Sequence, residues 1–136
     1  MGERRRFPRN LNSLKAISEF VAAFLQRRGI DASHAFEVDL VIEELFTNMV
    51  KYARKGTRDI EVGLDGGRPM LTITLRDFDV EAFDVTRIAA PDLSLPASER
   101  RPGGLGIHLV RQIADSFQYE HKDGNSVITV TKKLES

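Results

Sequence analysis

Apolar residues recur along the chain with two different periods, and the changes of period divide it into elements. In "NLNSLKAISEFVAAFLQRRG", Leu14, Ile17, Val21, Phe24 and Leu25 return at helical spacing, with Gly29 placed as a stop. "DASHAFEVDLVIEELFTNMVKYARKG" predicts a second helix, with Asp31 or Ser33 to cap it and Gly56 to end it. The short segment ahead of the first helix, about residues 4–9, reads as a strand. Alternation then predicts strands at residues 59–64 and 70–78, joined by a tight connection at Gly66-Gly67.

Residues 80–103 break the pattern, with Pro91, Pro96 and Pro102 and no sustained period. A long irregular stretch inside a small domain is usually functional or disordered. A helix returns in "LGIHLVRQIADSFQ", and "FQYEHKDGNSVITVTKKL" predicts a hairpin that turns at Asp123-Gly124. The order is β-α-α-β-β-loop-α-β-β in one 136-residue domain. It predicts an α+β fold: one mostly antiparallel sheet with its helices on one face.

Composition narrows the function classes. Twenty basic and twenty acidic side chains cancel, which argues against a dedicated nucleic-acid binder. Without cysteine, neither a disulfide nor a thiolate zinc site holds the fold, and a cytoplasmic location is expected. No apolar run reaches the roughly 18–20 residues of a membrane span. "MGERRRFPRN" is not followed by the apolar stretch of a signal peptide. Its Arg4, Arg5, Arg6 and Arg9 read as a solvated edge strand or disordered arm, or as a contact for nucleic acid or an acidic protein. His34, His108 and His121 fall on three separate elements and do not form a metal motif.

Three features carry chemistry. On the second helix, Val38, Val41, Ile42, Leu45, Met49 and Tyr52 form a stripe about 100° wide. Asn48 lies at its edge, with Glu44 about 40° further round. The pair reads either as a partly buried amide beside a solvated acid, or as an oxygen ligand for a hard cation beside a proton acceptor. Gly103, Gly104 and Gly106 precede the third helix, as a flexible loop or as a phosphate cradle at a helix start. Asp77 ends a strand, as a turn-former or as an acceptor for an exocyclic amine.

In this order, "EELFTNMVKYA", "LRDFDVEAFD" and "GGLGIHLVRQIADSFQYEH" resemble the N box and two glycine boxes of the GHKL ATPase superfamily. Within it, the whole chain is similar to the short single-domain anti-sigma-factor serine kinases. The resemblance implies a Bergerat-type two-layer α/β sandwich with three main helices on one face. It further implies ATP and Mg²⁺ as cofactors and a lid at residues 80–103. By the same resemblance Glu44 is the base that takes a proton from an attacking serine hydroxyl, and Asn48 is the metal ligand. Asp77 bonds the adenine amine, and the backbone at Gly103, Gly104, Leu105 and Gly106 holds phosphates. The implied partners are an anti-sigma-factor antagonist, whose serine is phosphorylated, and a sigma factor, with the kinase as a homodimer and no direct contact with nucleic acid or membrane.

One departure stands in the first glycine box. Asp79 occupies the usual glycine, and Glu81 a position that is often small. At an effective dielectric of about 20, a like charge some 6 Å from a phosphate costs on the order of 2–3 kcal/mol, roughly two decades of affinity. The alternative is therefore a Bergerat-fold partner-switching module that binds its regulators with little or no ATP turnover. A histidine-kinase ATP-binding half is a third reading, disfavoured because 136 residues leave no room for a dimerising phosphoacceptor helix pair.

Overall fold

Alternating apolar side chains build the sheet, and their shared side fixes where the helices pack. The computed structural model describes residues 2–53, 56–87 and 104–134. Its strands are β1 (Glu3–Phe7), β2 (Ile60–Gly66), β3 (Met70–Asp77), β4 (Ser116–Lys122) and β5 (Asn125–Lys133). Its helices are α1 (Leu14–Arg27), α2 (Ala35–Tyr52) and α3 (Gly104–Ile113). The sheet order is β1-β2-β3-β5-β4, and every neighbouring pair is antiparallel. The element order and the α+β class are those the periodicity predicts.

Ile60, Val62, Leu64, Leu71, Ile73, Leu75, Ile128 and Val130 are buried on one face of the sheet. Thr72, Thr74, Thr129 and Thr131 of the other face are only half-buried, as period-two alternation requires. The helices cover the apolar face: α2 touches both α1 and α3 and lies over β3, α1 touches β2, and α3 touches β4. The β4–β5 turn has Asp123 and Gly124 both at positive φ, 54° and 79°, the backbone of a tight primed hairpin.

Four local expectations change. Helix α2 ends at Tyr52 rather than Gly56, because Ala53 is already extended at φ −72° and ψ 115°. Tyr52, assigned to the core stripe, is exposed, while Phe46 is fully buried against the core. Helix α3 stops at Ile113, and the residues from Ser116 pair with β5 instead, so sheet pairing overrides the helical run read as far as Gln118. The predicted loop is structured at its start, where Val85–Arg87 form a 3₁₀ turn. Residues 88–103 of the predicted lid, including Gly103, lie outside the described residues.

Candidate functional site

Helix α2 supplies the first two side chains. The Asn48 amide Nδ2 donates to the Glu44 carbonyl at 2.6 Å, a bond to the preceding turn of its own helix. That bond fixes the amide and leaves Oδ1 buried with no partner among the described residues. At 4% exposure Asn48 is buried, deeper than the shoulder position its helical angle predicts, and it shares a cavity with Asp77, Tyr119 and Ser126 of the sheet.

Glu44 is half-buried, and its carboxylate fills the space that a β-carbon on Gly106 would take. Burial raises its pKa, the neighbouring Glu43 charge adds to the rise, and Lys51 opposes it. Gly104 and Gly106 do not precede α3 as expected: Gly104, Leu105 and Gly106 form its first turn. The amide N–H groups of a first turn have no acceptor within the helix and favour an anion. A carboxylate and a helix start therefore meet at Gly106.

Asp77 closes β3 at 1% exposure. Its Oδ1 accepts a charged hydrogen bond from Arg9 Nη2, and its Oδ2 is buried without a partner among the described residues. Burial raises the Asp77 pKa against the opposing charge and hydrogen bond of Arg9 and the Phe78 backbone N–H. Arg9 corrects the reading of the basic N-terminus. Arg4, Arg5 and Arg6 do lie on the edge strand β1. The Arg9 guanidinium instead turns inward and also donates to the carbonyls of Met49 at 2.9 Å and Arg58 at 3.2 Å. It packs where a β-carbon on Gly56 would stand, so Gly56 makes room for Arg9 rather than ending α2.

The segment after β3 is held to the β4–β5 hairpin. Val80 N–H donates to the Gly124 carbonyl at 2.9 Å, and the Val80 carbonyl lies 2.8 Å from His121 Nε2. Phe83 N–H donates to the Tyr119 hydroxyl at 2.9 Å, and its ring stacks on Tyr52. Asp84 Oδ1 accepts from the Thr86 N–H at 2.9 Å. Asp79 has a φ of 53°, the left-handed region that favours glycine and is tolerated by Asp. The glycine usual at this place thus has a conformational reason. The carboxylate of Asp79 is 66% exposed and pairs with Arg58 at 2.9 Å. Its cost to a nearby anion is correspondingly smaller than the unpaired estimate, since solvent and a cation both screen it.

Asn48, Asp77, Glu81, Phe83, Tyr119 and Ser126 line one cavity together with apolar residues. Its volume is about 20 Å³, enough for a single water and too small for a purine ring. Glu81 and Phe83 also border a wider hollow of about 530 Å³, next to Lys51 and Tyr52. Those two residues line both spaces. The sequence reading missed Arg9, Tyr119 and Ser126. No local pattern marks them, because each gains its role from a strand or turn remote in the chain.

Comparison with known proteins gives this arrangement a lineage. A family model for the histidine kinase-like ATPase domain matches residues 7–132. The serine-protein kinase RsbW of Bacillus anthracis is 29% identical over 122 residues, covering 85% of this chain and 74% of that protein. The serine/threonine-protein kinase BtrW of Bordetella bronchiseptica is 26% identical over 97 residues, covering 71% and 68%. Among solved structures, the RsbU and RsbW domains of Rv1364c from Mycobacterium tuberculosis superpose with a TM-score of 0.67 at 14% identity. That match takes in 98% of this chain but only 32% of the other. The SiaB-SiaC complex from Pseudomonas aeruginosa gives 0.60 at 16% identity, covering 97% and 89%. These two likenesses concern the fold.

Proposed function

Because the chain belongs to the histidine kinase-like ATPase family, we propose that it binds ATP and transfers the γ-phosphoryl group to a serine of an anti-sigma-factor antagonist. In the same reading it works as a homodimer in the cytoplasm, sequesters a sigma factor, and uses the segment from residue 80 to 103 as a lid within a single domain. The observation that carries the proposal is a pair of buried oxygens, Asn48 Oδ1 and Asp77 Oδ2, without partners among the described residues and lining one cavity. A native fold rarely leaves such acceptors bare unless a ligand, an ion or an ordered water completes them. The serine-protein kinase names of RsbW and BtrW support the chemistry. The two-protein SiaB-SiaC complex supports a protein partner.

Each residue then has a task. The bare Asn48 oxygen suits a hard divalent cation. Mg²⁺ held there would supply charge neutralisation for the triphosphate. Asp77 Oδ2 accepts a hydrogen bond from the adenine amine. The N–H groups of Gly104, Leu105 and Gly106 bind phosphate oxygens at the α3 start, and Gly103 belongs to the same cradle. Glu44 takes the proton from the attacking serine hydroxyl as the Oγ–P bond forms, and the bond from γ-phosphorus to the ADP oxygen breaks, releasing ADP.

The alternative, a partner-switching module without useful turnover, draws on the small cavity and on the Arg9 bond already made to Asp77. Thermal unfolding with ATP, with and without Mg²⁺, separates the two. A specific site stabilises the fold by RT ln(1 + [L]/Kd). We expect a clear upward shift at millimolar ATP that increases with Mg²⁺ and loses its Mg²⁺ dependence in Asn48→Ala. An unmoved transition in the wild-type protein would sink the kinase reading.

A further inference from the structure

The Arg9–Asp77 pair does more than fill space. An ionised carboxylate can only accept; once protonated, the oxygen that carries the proton donates while the other still accepts. Adenine presents an amine at its six-position and guanine a carbonyl there. The protonation state of Asp77 would therefore decide which purine it takes. Arg9 is absent from the residues that line the cavity, although Asp77 lines it. Its guanidinium stands behind the carboxylate, bonded to Oδ1 and anchored on the Met49 and Arg58 carbonyls.

We propose that Arg9 is a positioning residue for purine selection: by tying Oδ1 it presents Asp77 Oδ2 as a fixed acceptor toward the cavity, favouring an adenine amine and rejecting a guanine carbonyl. This rests on the nucleotide reading above and adds a residue to it.

The surroundings of Asp77 leave that task to Arg9. From α2 come Asn48 and Met49, with Glu44 one turn earlier; from β4 comes Tyr119, and from β5 Ser126. Glu81 lines the cavity after β3, and Asp79 beyond it is paired with Arg58. Among these groups Arg9 is the cation bonded to Asp77. Burial already lifts the Asp77 pKa with Arg9 in place. Removing the guanidinium lifts it further, so Asp77 stays protonated to higher pH.

The test measures ATP and GTP affinity from about pH 5.5 to 8.5, a window that a buried carboxylate can enter, for wild type, Arg9→Met and Arg9→Lys. The wild-type protein should prefer ATP by on the order of 10²-fold or more at every pH. Arg9→Met should lose about tenfold or more in ATP affinity on the acid side and recover as pH rises, while its preference over GTP collapses toward unity at low pH. Arg9→Lys should restore most of the preference. The Asp77 side-chain ¹³C titration, followed by NMR in the nucleotide-free protein, should move upward in Arg9→Met and return in Arg9→Lys. It reports the role without any ligand, and Arg9→Lys keeps the test open if the methionine variant unfolds.

Tighter ATP binding by Arg9→Met would make Arg9 a plug and overturn the proposal. An ATP-to-GTP ratio independent of residue 9, or an unmoved Asp77 titration, would also overturn it while leaving ATP binding intact. A wild-type protein that binds neither nucleotide would overturn this inference together with the functional reading.

Discussion

The two ends of the candidate site are built by different means. At the Glu44 end, a helix places an acid against the first turn of the next helix, and a glycine at position 106 makes the fit. At the Asp77 end, a strand terminus is held by an arginine 68 residues earlier in the chain. The first end is open chemistry: a half-exposed acid beside the N–H groups of a helix start. The second is a buried polar contact beside a cavity of about 20 Å³. On the proposed function, the contrast makes catalytic geometry a matter of close backbone approach and ligand selection a matter of a buried charge pair.

The sharpest way to separate the ends is Glu44→Ala. It should leave ATP binding largely intact and lower serine phosphorylation by about 10²–10⁴-fold, the usual worth of a positioned base. Unchanged phosphorylation would take the base role away from Glu44. Next in size, Gly106→Ala puts a β-carbon into the space of the Glu44 carboxylate. Displacing the base by an ångström should cost about 10²-fold in phosphoryl transfer. Thermal stability should stay near wild type, since alanine gains about 1 kcal/mol of helix propensity to offset the crowding. A fully active Gly106→Ala protein would show that the contact is incidental.

The pH profile probes the same end more gently. Glu44 must be ionised to accept a proton, and burial followed by the Glu43 charge raises its pKa above the ordinary 4.5. With ATP saturating, kcat should therefore fall as pH drops through a value above 4.5. Glu43→Gln removes the second cause and should move that acid limb downward; an unmoved limb would assign it to another group. The smallest effect is expected outside both ends, at Asp79. Because its carboxylate is solvated and paired with Arg58, Asp79→Gly should tighten ATP by less than about fivefold, within the 0–1 kcal/mol typical of an exposed pair. A gain near two decades in a binding titration would restore the unscreened repulsion.

Much of this was legible before the fold was known. Periodicity, together with turn signals, located the five strands and three helices of the described residues, most of which bury one side. It also put Glu44 and Asn48 on neighbouring angles of α2, and chain order set them ahead of Asp77 and the α3 glycines. Where it failed, a partner from elsewhere had intervened. Tyr52 leaves the core to stack on Phe83. The helical run after Ile113 yields to pairing with β5. Arg9, in a segment indistinguishable by composition from its exposed neighbours Arg4, Arg5 and Arg6, turns inward to a carboxylate.

By itself the sequence determined the order of elements, the helix face that carries the acid and the amide, and the turn at Asp123-Gly124. These are short-range properties, set by side-chain period and by backbone preference at single residues. Only the tertiary structure decided that Glu44 sits against Gly106, that Asp79 is neutralised by Arg58, and that Asp77 is held by Arg9. The reason is physical: burial and charge pairing depend on which distant group fills the remaining space, and local pattern carries no record of that group.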